Sequence, residues 1–264
     1  MPVMKENFLR NAHDTTFSPT GLYNFISGDE GRDASGNNKH LTEAEIDSGD
    51  PTDDVDFIGG SAEGLSHFTL YRNDSNDFQY TGSMSYCCLI NTTGSLPDSA
   101  NGYAQLGICD GGGNGDTLNQ VPQRFALQIT NTGHIRYGHH NQAHDAFYAV
   151  VADRRIRQHY QWHHVAFTRD SNGTTIKLYL NGEELSVNRL KYAGGSITTI
   201  AGSALDDGPG NTGTAYFSIG DIYNYRRTLT NTVVVTSCAI YDQELSANQI
   251  KYLARKTLGY HRVQ

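Results

Sequence analysis

The 264-residue chain contains no stretch approaching the roughly 18 consecutive apolar residues of a bilayer span. Its opening, MPVMKENFLRNAHD, has no apolar segment of signal-peptide length. A soluble protein made in the cytoplasm is expected, with no membrane partner. Charge is scarce at 18% of residues, and acids outnumber bases, 28 to 20, for a net charge of −8. Arg154-Arg155-Ile156-Arg157 is the one locally basic run, so attraction to a phosphate backbone is largely missing and nucleic acid is not an expected partner. The four cysteines include no Cys-x-x-Cys pair, and Cys87 and Cys88 are adjacent in a strand-forming sequence, where they would face opposite sides. Free, partly buried thiols are expected rather than a disulfide framework, a metal site or a redox site. Neither a Gly-x-Ser-x-Gly elbow nor a phosphate loop occurs. No internal repeat or linker calls for a second domain.

Glycine (28 residues), tyrosine (16) and many Asn, Thr and Ser residues describe short strands joined by frequent turns. The stretch from Gln161 to Leu185 is the clearest. Trp162 to Arg169 alternates around Val165 and Phe167, Asp170-Ser171-Asn172-Gly173 supplies turn chemistry, and Thr174 to Leu180 sets Ile176, Leu178 and Leu180 on one face. Asn181-Gly182 suits a type I′ turn into a third strand at Glu183 to Leu185. Further strands are expected at Leu22–Ile26, Phe68–Tyr71, Asp77–Ile90, Tyr103–Cys109, Ala215–Gly220 and Val233–Tyr241, with a hairpin of Arg124–Thr130 and His134–Gly138. Asp110 to Asn119 and residues 190 to 214 read as Gly-rich or polar rim loops, the latter an elaborated rim or a partly mobile insertion. Ser246-Ala247-Asn248-Gln249 is a capping-box signature opening a helix with Ile250, Leu253 and Ala254 on one face.

Several of these segments resemble the laminin G-like group of the concanavalin A-like lectin/glucanase superfamily. The resemblance rests on Trp162, His164, Val165 and Ala166 followed by Leu178 to Gly182, on Phe125-x-Leu127-x-Ile129 with Gly133-x-Ile135-x-Tyr137, on the turn Asp33-Ala34-Ser35-Gly36-Asn37, and on Ala239 to Leu245 with Ile250 and Leu253. It implies an all-β antiparallel jelly-roll sandwich with a short C-terminal helix. Residues 1–20 would be an N-terminal arm, 21–258 the sandwich and 259–264 a tail. The polar arm either packs on the domain or reaches a neighbour, including a symmetry mate in a homo-oligomer. The function implied is a non-enzymatic, lectin-like display or adhesion module that contacts glycans. The lack of an export signal points to a phage virion surface, as a capsid decoration or tail fibre, with other virion proteins as partners. The alternatives are a secreted or cell-surface carbohydrate-binding protein and a glycoside hydrolase of the β-glucanase type.

Among candidate sites, Glu45-Ile46-Asp47-Ser48-Gly49-Asp50 resembles the Glu-x-Asp-x-x-Glu strand of retaining β-glucanases, whose two carboxylates work as nucleophile and general acid. Its third acid is Asp, Gly49 weakens a strand there, and its surroundings are polar, so a solvated rim loop is expected and catalytic residues are not. His139, His140 and His144 with Asp145 match no zinc spacing and are expected in a polar loop. The resemblance implies one calcium ion at the sandwich rim, with Asp110, Asn114 and Asp116 as donors, or Asp206 and Asp207. For glycan binding, Tyr223-Asn224-Tyr225-Arg226 supplies rings for a sugar face and polar groups for its hydroxyls.

Overall fold

The computed structural model describes residues 13, 15–24, 31–45, 69–73, 76–78, 80–92, 105–112, 124–130, 132–143, 145–156, 161–210, 216–219 and 233–259. Strands β1 (Gly21–Tyr23), β2 (Thr42–Glu45), β3 (Thr69–Asn73), β4 (Met84–Thr92) and β5 (Gln105–Gly112) come first. Then follow β6 (Phe125–Thr130), β7 (His134–His140), β8 (Ala146–Arg155), β9 (Trp162–Arg169) and β10 (Ile176–Leu180). The last strands are β11 (Glu183–Glu184), β12 (Val187–Ala193), β13 (Ser196–Thr199), β14 (Tyr216–Ile219) and β15 (Val233–Tyr241), before helix α1 (Ala247–Gly259). They form two antiparallel sheets, one of six strands ordered β1-β15-β4-β9-β10-β11 and one of nine ordered β13-β12-β8-β7-β6-β5-β14-β3-β2. This is the jelly-roll sandwich with a C-terminal helix that the resemblance implied.

Alternation along the strands fills the space between the sheets. Met84, Tyr86, Cys88 and Ile90 of β4 meet Val165 and Phe167 of β9, Leu178 of β10, and Phe125, Leu127, Ile129 and Tyr137 of the facing sheet in one buried cluster. Val165, Phe167, Ile176 and Leu178 are fully buried, as the sequence predicts. The other face of the six-stranded sheet is also covered. Cys87, Ala166, Tyr179, Ala239 and Tyr241 pack under Ile250 and Leu253 of α1. Burial on both faces explains why Tyr86 to Ile90 of β4 and Cys238 to Tyr241 of β15 read as continuous apolar runs rather than a clean polar alternation. Cys87, Cys88 and Cys238 are buried free thiols, the adjacent pair divided between the two clusters.

Local chemistry seats the helix. Ser246 and Gln249 make the reciprocal capping box, with Gln249 Oε1 accepting from Ser246 N at 2.8 Å and Oγ at 2.9 Å. Asn181 and Gly182 both take positive φ, 55° and 83°, in the tight turn joining β10 to β11. A Cβ on Gly182 would come within 3.0 Å of Ala254 Cβ and Lys251 Cα, so the helix packs directly on this turn. At the other end of that sheet, Asp33 organises its turn by accepting from Leu22 N and Ser35 N through Oδ1 and from Lys39 N through Oδ2.

Residues 13 and 15–20 lie on the six-stranded sheet. His13 Nδ1 donates to Ser237 Oγ at 2.7 Å, Thr20 N to Ile240 O at 2.7 Å, and Gln243 Nε2 to Phe17 O at 2.9 Å.

Some boundaries depart from the expectations. Asp77 and Phe78 belong to a 3-10 turn, not to β4, and β1 stops at Tyr23. Asp110 to Gly112 continue β5 and pair with β6 and β14 rather than belonging to a loop, and the rest of the expected Gly-rich loop lies outside the described residues. His139 and His140 belong to β7. Residues 146–155 form a central strand that was not foreseen, and 187–199 form a hairpin where a mobile rim was expected.

Candidate functional site

The outer face of the nine-stranded sheet carries an aromatic and cationic cluster. Gly138 of β7 leaves a gap that the ring of Phe147 on β8 fills, since a Cβ there would lie 2.3 Å from Phe147 Cζ. Register pairs Phe147 with Tyr192 of β12, and their rings meet edge-on at 5.9 Å. The Arg136 guanidinium lies 5.0 Å from the Phe147 ring centroid and 5.4 Å from that of Tyr192, and donates to Gln128 Oε1 at 3.3 Å. His140 stands 5.0 Å from Phe147 on the other side. Rings held against a guanidinium in this way are ordered in advance of any ligand.

Beside this cluster opens a cleft of about 430 Å³, lined by His140, Asp145, Phe147, Tyr192 and the Gly194-Gly195 turn with Ser196 and Ile197 beyond it. Positive φ at Gly194 (54°) and Gly195 (78°) lets β12 and β13 turn within two residues, leaving Ile197 63% exposed at the mouth. Asp145 Oδ1 accepts from Asn141 Nδ2 at 2.8 Å, which holds the carboxylate at the rim. An apolar wall with a few fixed polar groups is the composition of a small-ligand site, and here the wall is aromatic.

The segment behind the cleft is pinned rather than free. His139 is fully buried, with Nδ1 3.2 Å from the Tyr137 hydroxyl and Nε2 3.1 Å from the Asp207 carbonyl. Burial, with the Arg169 charge adding to it, pushes its pKa down to about 3. His139 is therefore a neutral structural hydrogen-bonding group, which corrects the expectation of a polar His loop.

Tyr223, Asn224, Tyr225 and Arg226, the expected sugar-binding residues, lie outside the described residues, as do Asn114, Asp116 and Asp47. Asp110 lies within β5, and Glu45 closes β2 at the edge of the nine-stranded sheet. Among the described residues, no three His, Cys, Asp or Glu side chains come together as a metal site. The alternative calcium donors follow β13. Asp206 Oδ2 lies 3.7 Å from Lys191 Nζ, and Asp207 accepts from Asn141 Nδ2 and Gly208 N.

The cluster of Phe147, Tyr192, Arg136 and His140 was not singled out from the sequence. Its signals were the continuous apolar run of Ala146 to Ala152 and the Gly194-Gly195 pair between two β-prone runs.

Among known families, the one described as the concanavalin A-like lectin/glucanases superfamily matches residues 66–251. The chain belongs to this superfamily. No curated protein sequence matches it. Among solved structures, the superfamily fold here is similar to the CBM40 module of Ruminococcus gnavus IT-sialidase, at a TM-score of 0.50 and 18% identity over 70% of this chain and 92% of that one. The same module bound to alpha2,3 sialyllactose gives the same values. Trypanosoma rangeli sialidase matches at a TM-score of 0.40 and 16% identity, and this chain spans 22% of its length.

Proposed function

We propose that this protein is a non-enzymatic, lectin-like module that binds glycans in the cleft beside Phe147 and Tyr192. The observation that carries the reading is the aromatic pair ordered against Arg136, with Asp145 and His140 at the rim. A sugar offers one apolar C–H face and a periphery of hydroxyls. The ring wall takes the first, and the carboxylate and imidazole take the second. The likeness in fold to the Ruminococcus gnavus module seen with alpha2,3 sialyllactose supports a glycan as the ligand class.

The experiment is a glycan array with the full chain, followed by Tyr192→Ala and Tyr192→Phe. Tyr192 is only partly buried, so its truncation leaves the core intact. Affinity for any retained glycan falls at least about tenfold in the alanine variant, which is about 1.4 kcal/mol, and largely survives in the phenylalanine variant. Equal retention by the alanine variant would move the site elsewhere.

The finer reading is display of this module in many copies on a virion surface, where weak single contacts become avidity of about 10²-fold or more. Residues 13 and 15–20 pack on the sheet opposite the cleft, so attachment through that face would leave the cleft open. Recovery of purified particles with and without the first 20 residues tests it, and particles that incorporate the shortened chain normally would refute it.

A further inference from the structure

At the opposite end of β8 a second cavity, of about 540 Å³, opens between the two sheets. Its wall includes His134, Asp153, Arg154, Arg155, His163 and Asn181. Phe147 marks the first cleft and Arg154 the second, seven residues on, so the two are about 23 Å apart along the strand. Unlike the first, this wall is short of aromatic rings and rich in cations.

In a chain of net charge −8, two residues of the single basic run, Arg154 and Arg155, line this cavity. Arg155 makes no ion pair among the described residues. Arg154 contacts Glu183 at 3.0 Å, but the two side chains are 60% and 69% exposed, and a pair so exposed is weak and readily exchanged. Asp153 is the acid on the wall, and its Oδ1 accepts from Asn188 Nδ2 at 3.0 Å.

Hydrogen bonding also fixes the neighbouring donors. Asn181 Oδ1 accepts from His164 N, which sets the amide so that Nδ2 faces His163 Nδ1 at 3.5 Å. An amide NH₂ can only donate, so the neutral His163 ring carries its proton on Nε2. His134 Nδ1 lies 2.7 Å from the Ala152 carbonyl, which can only accept, so this ring is held as an Nδ1–H donor to the backbone. Both rings are thus held in a fixed tautomer and orientation by the frame of the sandwich.

We infer that this cavity is a second binding site, for an oxyanion such as a sulfate or carboxylate group, held by Arg154 and Arg155 with the Nε2–H of His163 beside them, while the His134 ring, whose proton is given to the Ala152 carbonyl, borders the site without donating to the anion. Planar guanidinium groups match the oxygen spacing of such anions, which favours them over halide. The site stands independently of the glycan reading of the first cleft.

The test uses imidazole carbon–proton NMR signals of the full chain, with those of His134, His163 and His140 assigned from His→Gln variants. Inorganic sulfate, acetate and chloride are titrated at constant ionic strength. Saturable shifts of His134 and His163 with sulfate or acetate, not with chloride, and lost in Arg155→Gln, are expected, while His140 in the first cleft stays unmoved. No saturable shift, the same shift with chloride, or full retention in Arg155→Gln would overturn the assignment. A sulfated oligosaccharide that displaces sulfate at these signals identifies the group as glycan-borne, and one that does not, with sulfate still saturating, identifies a free oxyanion. A neutral oligosaccharide that moves His140 alone reports the first cleft separately.

Discussion

The Arg169 guanidinium of β9 donates to the Tyr137 hydroxyl of β7 at 3.0 Å, across the interior from one sheet to the other. The same side chain is fully buried, and it reaches Gly82 O at 2.8 Å, Arg124 O at 2.7 Å and Tyr80 O besides. A buried cation is here satisfied by carbonyl dipoles and a hydroxyl.

Replacing Arg169 with leucine removes the donor from three carbonyl groups at once, that of Arg124 buried and those of Tyr80 and Gly82 partly buried. The expected loss is at least about 3 kcal/mol of unfolding free energy, against about 1–2 kcal/mol for Tyr137→Phe, which removes one bond of this set and the contact with His139 Nδ1. Urea denaturation at pH 7 measures both. Equal effects of the two variants would show that Arg169 acts as a filler and not as the hub.

Acid should destabilise the protein through its buried imidazoles. His139 and His164 are both pushed down to about 3 by burial, from an ordinary value of 6.5. Between these values the unfolded chain binds protons that the folded chain refuses, so stability is fully present above about pH 6.5 and declines as pH falls toward 3. Each group contributes up to about 1.4 kcal/mol per pH unit in that window. Neither ring nitrogen of His164 has a hydrogen-bond partner among the described residues, so His164→Leu removes a titrating group without breaking a hydrogen bond of the ring. The denaturation midpoint of this variant should fall less between pH 7 and pH 5 than that of the parent. Parallel pH profiles would show that His164 does not titrate as a buried group.

Gly138→Ala offers a way to close the aromatic cleft from beneath. The added methyl group must displace the Phe147 ring, whose Cζ it would otherwise meet at 2.3 Å. Overpacking of this kind costs about 1–3 kcal/mol of stability. Glycan affinity should fall at least about tenfold, while sulfate binding at the far end of β8 is retained. Unchanged glycan binding would separate the Phe147 ring from recognition.

The acidic segment gives a test of catalysis. A Glu45→Gln, Asp47→Asn double variant should match the parent on β-glucan substrates by reducing-end release. Hydrolysis by the parent that the variant lacks would replace the binding reading with a hydrolase.

Much of the fold was legible because the six-stranded sheet is built from local instructions. Val165, Phe167, Ile176, Leu178 and Leu180 alternate around turns whose residues specify their own geometry, Asp170 to Gly173 and Asn181-Gly182, and Ser246 with Gln249 marks the helix start. The nine-stranded sheet was harder to read. In β8, Phe147, Ala149 and Val151 are apolar on the outer face while Tyr148, Val150 and Ala152 face the core, so no polar alternation distinguishes it. The candidate site followed the same pattern. Phe147, Tyr192 and Arg136 are separated along the chain and are brought together by cross-strand register, whereas Tyr223 to Arg226 drew notice because they are contiguous.

Helix α1 and residues 13 and 15–20 cover the six-stranded sheet, while the aromatic cleft opens on the far side of the nine-stranded one. If this protein is held by the first face and grips a ligand with the second, tension between them runs perpendicular to the strands and tends to peel the two sheets apart. Backbone hydrogen bonds lie within each sheet and do not resist that direction. The load falls on the apolar interlayer and on the Arg169 bonds to Arg124 O and Tyr137, so Arg169 would also govern how long a bound module withstands pulling.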